Sequence, residues 1–388
     1  MKVIARGADM LVRQPCQADK NVCPTMESRM ALEPRSEALD ALPAVHGALN
    51  LAELQRLGLC PTDVLDFSAN VNPYGPPPSV RAAVACVPLD VYPDRECLEL
   101  TAVLSESLEV APTCILPGNG ASEMLWLTAL AYVRPGSRVL VLGPTFGEYT
   151  RAATIMGASI TTWRAREETG FAPETLEIVS RLDALRPQLV FLCNPNNPTG
   201  AILPPEQIAV WARQHPGTLF VVDEAYLPFA HGLGSVLTFA EENVLVLRSM
   251  TKDFGLAGLR LGYAVGAERV IAALRCVQPP WSVNALAQAA GVAALLDPTH
   301  WHGSMERLIA AKQELGTGLA RLGLAPVPSA THFFLVRVGD GAAFRMTLLR
   351  RRILVRDCAS FGLPTYVRIA TRRPGENERL LAAIREEG

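Results

Sequence analysis

The chain has 388 residues, of which 49% are hydrophobic and 19% are charged, an ordinary globular composition with room for one large and one smaller domain. Its formal net charge of −2 gives no reason to expect a nucleic acid or an anionic membrane as a partner. The nine cysteines are scattered without a CxxC pair, which favours reduced thiols. The first twenty residues have no continuous apolar core of signal-peptide length, and no later run reaches the length of a membrane span, so we expect a cytoplasmic protein.

Residues 1–43 are polar, carry four prolines and show no sustained periodicity, so we predict a poorly ordered N-terminal extension. We assign residues 44–89 to a segment that contributes to a small domain and to the active site, and residues 90–280 to a large domain. In the large domain, uniformly apolar runs alternate with helical patterns, as is typical of strands buried on both faces of a mainly parallel sheet. These runs lie at 138–143, 188–193, 219–225, 244–249 and 262–266.

The pattern changes after residue 280. Two long helical stretches are followed by the strand candidates HFFLVRVG, ILVRDC and YVRIATR and by a final helix, while His300 and His302 are predicted to be loop residues. We interpret residues 281–388 as a small α+β domain, with a long helix crossing between the domains. The predicted fold class is therefore α/β, a large domain with a mainly parallel sheet flanked by helices plus this smaller domain.

The most informative segment is LRSMTKDFGLAGLRLGY, which carries Lys252 between two strand-like runs. A lysine amine can form an imine with an aldehyde, while Ser249 and Arg260 can hold a dianionic phosphate nearby. An aldehyde and a phosphate on one molecule are what pyridoxal 5'-phosphate (PLP) presents. The remaining chain should then supply an acid for the pyridine nitrogen, donors for the phenolate and a surface for the ring.

Asp223 ends the buried run LFVVDEAY, at the carboxyl end of a strand, where open α/β sheets bind ligands. It can keep a pyridine nitrogen protonated, and Tyr226 can donate to the phenolate; alternatively, Asp223 and Glu224 cap the next segment. Asn197 in NPNNPTG is stiffly presented by two prolines and can bond the same phenolate, although these are also ordinary turn residues.

Other candidates are weaker taken one at a time. Gly118 and Gly120 in GNGASEMLWL allow backbone amides to approach a phosphate, and a helix beginning at Ala121 or Ser122 adds its positive end. Phe146 in GPTFGEY can stack on a flat ring or belong to the core, and Tyr92 can be a surface turn residue.

Two arginines near the end of the chain bear on the substrate. Arg368 lies inside a strand-like segment, where an unpaired guanidinium is costly, so a carboxylate partner is expected. Arg356 can bind a second anion or pair with Asp357.

At this point the chain resembles the aspartate aminotransferase superfamily of fold-type I PLP enzymes, over residues 44–388 and through the ordered motifs NPNNPTG, DEAY, SMTK and GLRLGY. The resemblance implies PLP as cofactor and a homodimer with active sites at the interface. It implies a Schiff-base role for Lys252, a pyridinium partner in Asp223 and a carboxylate clamp in Arg368. It implies that Asn197 and Tyr226 bind the phenolate oxygen and that Phe146 stacks on the ring. The phosphate would be bound by Gly120, Ala121, Ser122, Ser249 and Arg260. Tyr92 would contact the phosphate of the cofactor in the neighbouring subunit.

Within the superfamily the chain is most similar to the branch that holds threonine-phosphate decarboxylase and histidinol-phosphate aminotransferase, and it resembles the decarboxylase more. The resemblance implies an amino-acid substrate, possible phosphorylation of that substrate, and a phosphate contact for Arg356. The decarboxylase motif HGGN is HGALN here, with Ala48 and Leu49 in place of glycine and asparagine; His46 opens this motif and is predicted to contact the substrate.

The expected reaction is decarboxylation of L-threonine O-3-phosphate to aminopropanol phosphate, in cobalamin biosynthesis, with transamination of the histidinol-phosphate type as the alternative. The two differ in whether the carboxylate or the hydrogen lies perpendicular to the cofactor ring, which no residue type encodes. A PLP-sensing DNA-binding regulator is a third class, but the extension before residue 44 is short and lacks a helix-turn-helix pattern.

Overall fold

The computed structural model describes residues 33–41 and 43–386. Its helices are α1 Ser36–Asp40, α2 Leu51–Arg56, α3 Pro78–Ala85, α4 Leu98–Leu108, α5 Ala121–Tyr132, α6 Glu148–Ile155, α7 Thr175–Leu185, α8 Pro205–Gln214, α9 Glu268–Val277, α10 Ala285–Leu295, α11 Pro298–Arg321, α12 Gly341–Arg350 and α13 Pro374–Arg385. Its strands are β1 Leu65–Asp66, β2 Ile115–Gly118, β3 Arg138–Gly143, β4 Ser159–Arg164, β5 Leu189–Cys193, β6 Leu219–Asp223, β7 Val244–Ser249, β8 Gly262–Gly266, β9 Phe333–Arg337, β10 Ile353–Leu354, β11 Arg356–Asp357 and β12 Tyr366–Ala370.

A seven-stranded sheet forms the centre of the molecule, in the order β2-β8-β7-β6-β5-β3-β4. Strand β8 runs antiparallel to both of its neighbours, and the pairs from β7 to β4 are parallel. Each of the five apolar runs singled out in the sequence forms one of these strands, and β5 and β6 are buried along their whole length. The edge strand β4 was not predicted, because only Trp163 among its residues is buried.

Helices cover both faces of this sheet. On one face, α5, α6 and α9 pack around Leu116, Val141, Phe191 and Leu245. On the other face, α7 and α8 pack around Leu140, Val190, Phe220 and Val246. Because alternate residues of each strand pack against helices on opposite faces of the sheet, the strand sequences are continuous apolar runs.

A second, antiparallel sheet of order β11-β12-β9 packs with α11, α12 and α13, while β1 pairs with β10 in parallel. Helix α11 joins two cores, since its first half packs in the large-sheet cluster and its second half in the small-sheet cluster. This helix begins at Pro298, so the prediction of His300 and His302 as loop residues is wrong. The Asp297 side chain caps the helix by accepting from His300 N, which explains the early start.

The predicted poor order of residues 1–43 falls mainly on residues outside the described part; within that part, 36–40 are helical. The domain boundaries at 44, 90 and 281 stay predictions. No helix in the described ranges combines the length and apolarity needed to cross a membrane. The carboxyl ends of β5, β6 and β7 lie side by side, and the segments that follow them carry the predicted motifs.

Candidate active site

Two adjoining cavities lie at the carboxyl ends of β5–β7 and bring together most of the predicted site residues. The inner cavity is lined by Ala121, Ser122, Phe146, Asn197, Asp223, Tyr226, Ser249, Lys252 and Arg260, among others. The outer cavity, of about 410 Å³, shares Phe146, Asn197, Tyr226 and Lys252 with it and adds His46, Arg356 and Arg368. Residues from positions 46 to 368 therefore converge on one space.

Lys252 lies in the turn after β7 and faces both cavities. Its backbone carbonyl accepts from Asn72 N at 2.8 Å, which fixes the turn against the N-terminal segment. Burial lowers the pKa of Lys252 to about 8, and the positive charges of Arg368 and Arg260 act in the same direction. A larger fraction of this amine is therefore uncharged, and nucleophilic, than for an ordinary lysine.

Asp223 is buried at the floor of the inner cavity, at the end of β6. Tyr149 Oη donates to one carboxylate oxygen at 2.7 Å, and Ala225 N donates to the other at 3.0 Å. Burial raises the pKa of Asp223, and the bonds from Tyr149 and Ala225 and the charge of Lys252 offset this only in part. A cationic partner bound in the cavity would complete this site.

Another part of the inner cavity, around the N-terminus of α5, has several groups that can bind an anion. Helix α5 begins at Ala121 without a side-chain cap, and Gly120 has φ +81°. A Cβ atom on Gly120 would lie 2.8 Å from Arg260 Nη2, so glycine permits this close approach. Ser249 Oγ lies 2.7 Å from Thr251 Oγ1, which places two hydroxyls beside the helix N-terminus.

Tyr226 and Asn197 line both cavities, and Arg368 lines the outer one beside them. Asn70 Nδ2 donates to Tyr226 Oη at 3.2 Å, and burial raises the pKa of Tyr226 to about 12, so the phenol stays protonated. Arg368 donates to Asn197 Oδ1 and, at 2.6 Å, to Ser68 O. It is 4% exposed, and its Nε has no partner in the described part of the chain. No carboxylate pairs with Arg368 there.

Residues 44–50 are here called the arm, and residues 45–48 of the arm line the outer cavity. Gly47 packs so closely that a Cβ would lie 2.2 Å from Ser68 O and 2.9 Å from Arg368 Nη2. Arg356, 5% exposed, donates to Val45 O at 3.0 Å and to Ser360 Oγ at 2.6 Å. Its ion pair with Asp357 is long, at 3.5 Å, so both readings of Arg356 from the sequence are compatible with its position.

Neither Leu49 nor Asn50 of the HGALN segment offers a free asparagine side chain to the outer cavity. Leu49 packs against the buried cluster of Leu54 and Leu354, so it presents no polar group to the cavities. Asn50 Oδ1 accepts from Glu53 N at 3.1 Å and caps α2. Ala48 takes the place of a glycine and has φ +136°, a backbone angle that is unfavourable for alanine.

Two predicted site residues line neither cavity: Gly120, which directly precedes α5 beside Arg260, and Tyr92, which lies on the surface. The Tyr92 side chain is 77% exposed and stacks on Trp281, with ring centroids 4.7 Å apart. Within one chain Tyr92 is a surface residue.

Several residues of the site were missed by sequence reasoning. They include Tyr149, Thr251, Asn70 and the buried His332, whose ring lies 3.8 Å from that of Phe229 and whose two nitrogens have no partner among the described residues. Tyr149 and Thr251 each lie within three residues of a motif residue, which is a usable sequence signal. Asn70 and His332 carry none, because tertiary contacts alone bring them to Tyr226.

Comparisons with known proteins agree with this geometry. Residues 62–384 match the family model described as aminotransferase class I and II. A histidinol-phosphate aminotransferase of Ralstonia nicotianae is 36% identical over 86% of this chain and 91% of its own length, and the threonine-phosphate decarboxylase of Salmonella typhimurium is 36% identical over 85% and 92%. A crystal structure of histidinol-phosphate aminotransferase from Sinorhizobium meliloti, in complex with pyridoxal-5'-phosphate, superposes with a TM-score of 0.81 at 26% identity, covering 92% of this chain and 98% of that one. The predicted fold is thereby confirmed, and the chain belongs to the class I and II aminotransferases, which are PLP-dependent enzymes of fold type I.

Proposed function

We propose that the inner cavity holds PLP, with its aldehyde at Lys252, its ring between Phe146 and the opposite wall, and its pyridine nitrogen at Asp223. The buried carboxylate of Asp223 supports this assignment, because a protonated pyridine would supply the missing cation. The uncapped N-terminus of α5, with Ser122, Ser249 and Arg260, fits the phosphate. Tyr226 and Asn197 would bind the phenolate oxygen.

The cofactor supplies an electron sink for the bond that breaks at the substrate α-carbon. The residues of the chain have other tasks. Asp223 would keep the ring nitrogen protonated, Lys252 would move a proton at the α-carbon, and Arg368 would orient the carboxylate.

We further propose a substrate that carries two anions, and the pair of buried arginines is the observation that supports it. Arg356 and Arg368 line the same outer cavity as Lys252, and each has an Nε atom without a partner in the described residues. A buried guanidinium is stable when an anion pairs with it. An amino acid with a carboxylate and a phosphate satisfies both, with His46 and Arg356 at the phosphate.

Our lead proposal is decarboxylation of L-threonine O-3-phosphate to aminopropanol phosphate, a step of cobalamin biosynthesis, by a cytoplasmic enzyme. Transamination of histidinol phosphate is the second candidate, although this compound carries a phosphate and no carboxylate, so it would pair with only one of the two arginines. Transamination is favoured by the number of histidinol-phosphate aminotransferases among the relatives and by Leu49, which packs against an apolar cluster and cannot replace the asparagine of the decarboxylase motif.

One assay separates the two. The holoenzyme is given L-threonine O-3-phosphate, and carbon dioxide and amine are measured; it is then given histidinol phosphate with 2-oxoglutarate, and glutamate is measured. Carbon dioxide and amine without glutamate support the lead, while glutamate alone overturns it. In either case Arg356→Gln should raise KM for the phosphorylated substrate about 100-fold, as expected for removal of one partner of a buried charge pair.

We also propose that the enzyme is a homodimer in which Tyr92 reaches the neighbouring active site. Exposed apolar side chains near Tyr92 support the proposal: Leu89, Val91 and Tyr92 are 63–83% exposed, and Tyr92 stacks on Trp281, which is 45% exposed. Sedimentation of the holoenzyme as a monomer at micromolar concentration would overturn it.

A further inference from the structure

Glu148 forms an unusual buried cluster at the start of α6. It is 4% exposed, and its two oxygens face three donors from different parts of the chain. Trp126 Nε1 donates to Oε2 at 3.2 Å, Arg151 Nη1 donates to Oε1 at 3.4 Å, and His46 Nε2 lies 3.1 Å from Oε1. The Arg151 guanidinium also lies over the Trp126 ring, 5.5 Å from its centroid, which stiffens this side of the cluster.

His46 brings the arm into this cluster. Its side chain is 51% exposed, lines the outer cavity together with Arg356, and lies 5.5 Å from the ring of Phe146, centroid to centroid. Trp126 and Arg151 already supply one donor to each oxygen of Glu148. Solvation of the carboxylate therefore does not depend on His46, and the contact acts chiefly on the imidazole.

We propose that Glu148 is a positioning residue, which holds the His46 imidazole at the rim of the outer cavity so that it contacts the second anion of the substrate. The inference rests on the proposed function, in which His46 and Arg356 bind that anion. A carboxylate only accepts hydrogen bonds, so Nε2 of His46 carries a proton and donates to Glu148. In the doubly protonated ring, Nδ1 is a second donor, which suits an anion on the exposed side.

The experiment uses the holoenzyme and the substitution Glu148→Gln, which keeps the size of the side chain and an acceptor for Trp126 but removes the charge. We expect KM for the phosphorylated substrate to rise about tenfold, while kcat changes by less than about twofold, because the interaction serves binding of a remote group. His46→Gln should have the same effect, and the double variant should be no worse than either single one.

A direct binding measurement does not depend on turnover. The His46 C2 proton is assigned in the NMR spectrum by its loss in His46→Gln, and the holoenzyme is titrated with methyl phosphate, which has neither amine nor carboxylate. The dissociation constant should rise about tenfold in Glu148→Gln. An unchanged constant, or additive effects of the two single substitutions, would overturn the proposal.

Glu177→Gln is the matched control, since Glu177 also accepts from an indole, Trp163 Nε1 at 3.1 Å, but lines neither cavity. It should leave both constants unchanged. If Glu148→Gln does not fold, Trp126→Phe loosens Glu148 without removing its charge and should weaken methyl phosphate binding in the same direction. A wild-type enzyme that turns over neither phosphorylated compound would refute the proposed function, whereas the methyl phosphate titration would still decide the role of Glu148.

Discussion

The lowered pKa of Lys252 predicts a specific dependence of stability on pH. The drop from the ordinary value of 10.5 to about 8 corresponds to about 3 kcal/mol, at about 1.4 kcal/mol per tenfold change in proton affinity. Below pH 8 both folded and unfolded states carry the charged lysine, so the cofactor-free folded state bears this whole cost. Between pH 8 and 10.5 only the unfolded state binds the proton, and stability rises with pH across this window.

Lys252→Met keeps an unbranched side chain, one heavy atom shorter, and removes the charge. In the cofactor-free protein we expect its free energy of unfolding at pH 7 to exceed that of the wild type by about 3 kcal/mol, with the difference shrinking above pH 8 and vanishing near 10.5. Urea unfolding, followed by tryptophan fluorescence from pH 7 to 10, measures this. Lys252→Gln is a second charge-free variant for the same experiment. Its different packing should shift the free energy of unfolding by the same amount at every pH, so the dependence of the difference from the wild type on pH should match that of Lys252→Met. A difference that stays constant from pH 7 to 10 would refute the reasoning.

Three further substitutions test the site and the arm. Asp223→Asn should weaken PLP binding at least about 100-fold, as measured by fluorescence quenching, without destabilising the cofactor-free protein at pH 7, because burial makes the carboxylate charge costly to the folded state. Ala48→Gly should raise the free energy of unfolding by about 1 kcal/mol in urea, since relief of the strained φ of +136° outweighs the greater freedom of unfolded glycine. Gly47→Ala should lower kcat/KM about 100-fold in the steady state, because its Cβ would collide with Ser68 O and displace the arm; a variant with normal kinetics would contradict this packing.

The parts of the fold that were predictable from the sequence are those with a one-dimensional pattern. Strand β5 is buried on both faces and reads as an unbroken apolar run, whereas the edge strand β4 has one solvent-facing side and gave no such pattern. The site residues that were predicted also lie in local sequence patterns. Lys252 and Asp223 lie in motifs next to predicted strands, but the bond from Tyr149 to Asp223 joins positions 74 residues apart and has no local trace.

The arm was the least predictable part of the site, for a related physical reason. Its conformation depends on contacts of Gly47 and Ala48 with Ser68 and with the guanidinium of Arg368, which come from distant parts of the chain. The sequence showed that HGALN departs from HGGN, but not that Asn50 is committed to capping a helix.

These contacts also bear on why one set of motifs serves both decarboxylation and transamination. Arg368, the proposed carboxylate clamp, is itself held by Ser68 O and Asn197 Oδ1. Ser68 in turn donates from its N and Oγ to Asp66 Oδ1, at 2.8 and 2.6 Å, and its Oγ accepts from Ala48 N at 3.0 Å. If Arg368 binds the substrate carboxylate, the position of that carboxylate relative to Lys252 would depend on this chain of hydrogen bonds, which runs through β1 and the arm. The relatives include aminotransferases and a decarboxylase at the same sequence identity, so the shared motifs alone do not decide the reaction.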